Sequence, residues 1–131
     1  MDMRVYFPGG KKVYADYKGF THKTDQAVYA GGEGSAPTPF ELFLASIGTC
    51  AGIFVLGFCQ QRDIDTTGME LIQHLDVDPT TRMVKTVELE IKLPPTFPEK
   101  YKNAVIQSAS LCAVKKHMEI PPEFKVFTSQ T

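Results

Sequence analysis

An α+β fold, an antiparallel sheet packed on two helices, is predicted by three observations. Short runs of alternating apolar and polar residues, bounded by glycine and proline, mark strands at the start of the chain and again near residue 90. Two stretches, beginning at Pro39 and Pro98, are patterned as helices. The elements follow the order three strands, helix, two strands, helix, strand.

The first strand, Arg4 to Phe7, runs into the turn signal Pro8-Gly9-Gly10-Lys11. Lys12 to Tyr17 follows, with Val13, Ala15 and Tyr17 on one face. Gly19 separates it from a third, more polar strand predicted over Phe20 to Val28. Residues Ala30 to Pro37, rich in glycine, read as a loop.

The first helix is predicted from Pro39 to Gln61, roughly 34 Å long at 1.5 Å per residue. Thr38 supplies a hydroxyl N-cap, Pro39 occupies the first helical position, and Glu41 stands three residues after the cap, which makes a capping box. The helix is apolar nearly all round, which predicts a central position. The charged break from Arg62 to Gly68 ends it. A strand is predicted over Met69 to Val77 and a turn over Asp78 to Arg82. Val87, Leu89, Ile91 and Leu93 then alternate with polar residues as in a half-buried strand. After the connector Pro94 to Pro98, a second helix is predicted to Met118, with Tyr101, Ala104, Val105, Ser108, Leu111 and Cys112 on its inner stripe. Pro121 and Pro122 stop it, and Glu123 to Thr128 reads as a last strand.

With 131 residues, 43% apolar and 22% charged, the chain is expected to form a single domain over residues 1–131 with a packed core. A net charge of −1 offers nothing to nucleic acid or to an anionic membrane. The start has no apolar signal core, and the apolar run from Leu42 to Phe58, interrupted by Ser46, Gly48, Thr49, Gly52 and Gly57, reads as too short for a membrane span. A cytoplasmic protein is therefore expected. Its three cysteines lack disulfide-scaffold spacing, so reduced thiols are the resting expectation. No Cys-x-x-Cys or His-x-x-x-His spacing occurs, and neither a metal nor a cofactor is called for.

Cys50 falls within the first predicted helix and Cys112 within the second. A buried free cysteine packs as a small hydrophobe, which is the plain reading of each. The chemical reading needs a thiolate, and mid-helix that requires a cation or base from elsewhere in the fold. If the two helices cross near their middles, the sulfurs come within bridging range and the pair can cycle between dithiol and disulfide. Small residues, Ser46, Gly48, Thr49, Ser108, Ala109 and Ala113, would permit that approach. Cys59, nine residues after Cys50 and about 180° around the helix, points away and reads as a packing residue. Glu41 has two readings, a capping residue or an active-site carboxylate.

Residues 37–50, Pro-Thr-Pro-Phe-Glu-Leu-Phe-Leu-Ala-Ser-Ile-Gly-Thr-Cys, and residues 110–118, Ser-Leu-Cys-Ala-Val-Lys-Lys-His-Met, together resemble the OsmC/Ohr family of osmotically inducible and organic hydroperoxide resistance proteins. The resemblance implies an intertwined homodimer, with curved sheets wrapped on two central helices and active sites at the subunit interface. It implies that Cys50 attacks an organic hydroperoxide and becomes a sulfenic acid, that Cys112 resolves it as a disulfide, and that a small dithiol such as a lipoyl group restores the pair. The family's peroxidases carry a glutamate ten residues before the reactive cysteine, where this chain has Phe40, with Glu41 one place later. They also draw an arginine from an N-terminal loop, and this chain has none between Arg4 and Arg62. The second reading is accordingly a non-catalytic binding or redox-sensing protein with an apolar interface pocket.

Overall fold

The computed structural model of the chain describes residues 1–130 and is α+β, with two separate antiparallel sheets and three α-helices. The chain divides into two compact units, Met1–Ala45 and the remainder from Ser46.

In the first unit, β1 (Arg4–Gly9), β2 (Lys12–Tyr17) and β3 (Phe20–Thr24) form a sheet in that order. The β2–β3 hairpin turns through Lys18 and Gly19, both at positive φ (51° and 82°), the geometry whose twist suits a two-residue hairpin. The third strand stops at Thr24 rather than continuing to Val28, because Asp25 redirects the backbone. Its fully buried carboxylate accepts from the backbone N–H groups of Gln26 (2.7 Å), Glu33 (3.3 Å) and Ser35 (3.1 Å) and from the Ser35 hydroxyl (2.6 Å). One side chain thus satisfies four donors of the loop that follows, and these bonds hold its pKa down at about 2. Lys12 ties the same loop to the sheet through Glu33 at 2.7 Å. Gly32 is required there, since a Cβ would stand 2.0 Å from the Gln26 carbonyl oxygen. Among the described residues, no apolar side chain of this unit is buried, and Phe7, Phe20, Val28 and Tyr29 are all exposed.

The helix α1 (Pro39–Gln61) begins in the first unit and continues unbroken into the second. Its capping box is formed: Thr38 Oγ1 accepts the Glu41 N–H (3.3 Å) and its hydroxyl donates to Glu41 Oε1 (3.1 Å). The small residues expected to interrupt the apolar run do not do so. At 23 residues α1 is long and apolar enough, by length and composition alone, to cross a membrane, as is many a core helix. One stripe, Ile47, Ala51, Val55, Phe58 and Cys59, is buried, and Ile53 and Phe54 are exposed. Only 28% of its most apolar window is covered within the chain, so the central position predicted for it is realised on one face alone.

In the second unit β4 (Glu70–Val77) pairs with β5 (Val84–Lys92), from Glu70 opposite Lys92 to Val77 opposite Val84. The predicted alternation is present, with Val87, Leu89 and Ile91 turned inward. The core gathers Val55, Phe58, Cys59, Phe97 and Val105, flanked by Leu71, Ile91 and Tyr101. Arg62 closes α1 by donating to the Phe58 carbonyl oxygen (3.1 Å), its guanidinium lying 3.7 Å from the Phe58 ring centroid.

The second predicted helix is two helices, α2 (Lys102–Ala109) and α3 (Ala113–Glu119), separated at residues 110–112. The break turns Leu111 out to solvent, off the inner stripe assigned to it, and keeps Cys112 buried. The predicted last strand is absent: residues 121–130 are neither helix nor strand. A strand needs an edge to satisfy its backbone groups, and neither sheet pairs with this segment, whose Phe124, Val126 and Phe127 are exposed.

Candidate functional site

Cys50 and Cys112 both lie in the second unit, and the structure brings them together: the Cys112 side chain hydrogen-bonds Cys50. All three cysteines are free thiols. Two features of the local fold make the contact. Helix α1 carries Cys50 one residue before the buried Ala51, at the margin of its covered stripe, so the sulfur is only partly exposed. The break after α2 then places Cys112, 2% exposed, as the N-cap of α3.

The electrostatics of the two thiols diverge. Hydrogen bonds from the Cys112 thiol and the backbone N–H of Val114, with a further one from Ala113, hold the Cys50 pKa below the usual thiol range. Burial pushes Cys112 up, and its bond to the Cys50 sulfur raises it further. The pair therefore has a direction. Cys50 is the sulfur that ionises, and Cys112 keeps its proton and donates it. Cys112 Sγ also accepts the Lys115 N–H at 3.5 Å. The stabilisation of the Cys50 thiolate comes from a neighbouring thiol and main-chain dipoles, which addresses the need for a cation or base noted for a mid-helix cysteine.

The remaining residues fall elsewhere. Glu41 is engaged with Thr38 at the start of α1 and is not among the groups that bond Cys50. Cys59 is a core residue whose pKa burial raises. Gly48, assigned to helix–helix approach, instead accommodates β4: a Cβ there would stand 2.7 Å from Gln73 Oε1. His117 Nδ1 bonds the Ala113 carbonyl oxygen (2.7 Å) and His74 pairs with Glu90 (2.9 Å). Among the described residues no cluster of three His, Cys, Asp or Glu converges as a metal site would require.

Missed in the sequence were the main-chain donors of Ala113, Val114 and Lys115. Cysteine is outside the group of Ser, Thr, Asp and Asn that announces an N-cap, and no glycine or proline marks the break before it. The one available signal was the short polar run Ser108-Ala109-Ser110 before Cys112.

The family model of the OsmC-like proteins matches residues 32–127, a segment that contains both sulfurs. A solved structure from Psychrobacter arcticus 273-4, described as an osmotic stress induced and detoxification response protein, superposes with a TM-score of 0.68 at 24% identity, over 87% of this chain and 85% of that one. A second, from structural genomics, superposes with a TM-score of 0.64 at 20% identity, over 92% and 91%. No curated protein matches the chain.

Proposed function

The chain belongs to the OsmC-like protein family, and from that premise we propose that it is a thiol-dependent hydroperoxide reductase in which Cys50 attacks and Cys112 resolves. The observation that carries this reading is the polarised pair: Cys50 with its pKa lowered, hydrogen-bonded by a Cys112 whose pKa is raised. The solved relative described as a detoxification response protein supports a role in stress response.

The Cys50 thiolate attacks the terminal oxygen of an organic hydroperoxide. The O–O bond breaks, the departing alkoxide takes a proton and leaves as the alcohol, and Cys50 becomes a sulfenic acid. Cys112 sulfur then attacks the sulfenic sulfur, an S–S bond forms, and hydroxide leaves with the Cys112 proton as water. A small dithiol reduces the disulfide by two exchange steps and is itself oxidised to a disulfide. The protonated state of Cys112 suits the order: the resolving thiol waits while its partner is ionised.

A homodimer and a cytoplasmic location belong to the same proposal. Two surfaces support the dimer: the first unit buries no apolar side chain of its own, and α1 leaves Ile53 and Phe54 exposed. The segment Glu123 to Thr128, patterned as a strand but unpaired within its own chain, is a third.

One observation favours the second reading, a redox-sensing protein without turnover: the nearest acidic candidate, Glu41, is held by Thr38 at the helix start. Steady-state turnover of cumene hydroperoxide with dihydrolipoamide separates the two. Turnover abolished by Cys50→Ser, with sulfenic acid trapped in Cys112→Ser, is the expected result. A single stoichiometric disulfide without cycling assigns the sensing role, and inert thiols overturn both.

A further inference from the structure

We infer that closing a disulfide between Cys50 and Cys112 releases the first turn of α3, so that the segment Ala113–Glu119 reports the oxidation state of the pair. This rests on the redox pairing proposed above and goes beyond it.

The anchoring of α3 is unusual. A helix leaves its first N–H groups without intrahelical partners, and a side-chain oxygen ordinarily takes one of them. Here sulfur does so. Cys112 Sγ takes the Lys115 N–H at 3.5 Å, and the Cys50 sulfur takes those of Val114 and Ala113. The first bond internal to the helix, Lys116 N–H to the Cys112 carbonyl oxygen at 3.1 Å, follows from that turn. Nothing else anchors the helix comparably. It has seven residues and none of its side chains is buried. A helix that short is marginal by itself.

Oxidation alters all three sulfur acceptors together. An azo oxidant such as diamide takes two electrons from the pair, with the Cys112 proton and one from water, and becomes the hydrazide as the S–S bond forms. Cys50 loses its negative charge, and with it the charge assistance that makes such bonds about twice as strong as neutral ones. Both sulfurs become neutral and weak acceptors. Ala113, Val114 and Lys115 are then left with poor partners at the start of a helix that has no packing to retain it.

The test is amide hydrogen exchange of the full-length protein, reduced and after diamide, with the 50–112 crosslink mapped by peptide mass. The expected result is exchange over residues 113–116 faster by about five- to tenfold, the scale of one lost helix cap, and reversed by dithiothreitol. Cys112→Ser provides the control: its hydroxyl caps the helix and cannot crosslink, so exchange in α3 should not respond to diamide. A mapped crosslink with unchanged exchange overturns the inference and leaves the pair intact. Failure of diamide to crosslink the pair overturns the inference together with the pairing. Crosslinking with faster exchange but no peroxide turnover upholds the inference and removes only the peroxidase reading.

Discussion

The Cys112 thiol donates to Cys50 while its sulfur accepts the backbone N–H of Lys115, so one side chain both polarises its partner and caps α3. The proton in the pair is thereby assigned to Cys112. The relationship also removes the need for a guanidinium at the reactive sulfur, since a thiol and two main-chain N–H groups take that role.

Cys50 should be alkylated by iodoacetamide with a pH midpoint below the usual thiol value of about 8.5. Removing the thiol donor in Cys112→Ala should raise that midpoint, because the thiolate loses its largest stabilising bond. Cys112→Ser retains an O–H donor and should hold the midpoint close to that of the unaltered protein. An unmoved midpoint in Cys112→Ala would remove the polarised pair as the basis of reactivity.

The elements of this fold were legible where local chemistry and tertiary packing agree. Thr38-Pro39-Phe40-Glu41 announces the start of α1, and the structure begins the helix there with the expected bonds. The alternation around Val87, Leu89 and Ile91 became β5. Features set by a single long-range or atypical contact were not legible. Asp25 ends β3 by collecting donors up to ten residues away, which no local pattern announces. Cys112 caps α3 with sulfur, so the second helical stretch reads as continuous in sequence and is broken in space. The break is also where the candidate site is built, so the cysteines could be named from the sequence but the groups that activate them could not.

Asp25→Asn should lower the melting temperature by several degrees. The amide has one acceptor oxygen where the carboxylate offers two, so part of the donor set at Gln26, Glu33 and Ser35 is left buried without a partner. The pH dependence carries the same sign. With the folded value near 2 and an unfolded value near 3.9, the stabilisation is complete above about pH 4 and is lost as pH falls toward 2. Thermal melts between pH 2 and pH 6 check this, and the acid slope should be shallower in the variant.

Ile53→Glu should convert a dimer to monomers. Ile53 is 58% exposed on a helix whose other face is buried, so a new carboxylate is tolerated in one chain and is costly at an apolar interface between two. Light scattering after size exclusion gives the mass directly. A monomer of 14.6 kDa before substitution would contradict the dimer.

Glu41 separates a cap from a catalyst. In the structure its carboxylate takes the Thr38 hydroxyl at 3.1 Å and its N–H reaches Thr38 Oγ1 at 3.3 Å. A glutamine serves the same box, since its amide oxygen still accepts, but it carries no charge and no titrating proton. Glu41→Gln should therefore leave stability and peroxide turnover near their original values. Glu41→Ala should cost roughly 0.5–1 kcal/mol of stability through the weakened helix start, with turnover per folded molecule unchanged. A carboxylate acting on the reacting oxygens predicts the opposite split: kcat falling in both variants alike, with the glutamine protein as stable as before. Measuring melts and kcat on the same two proteins decides between them.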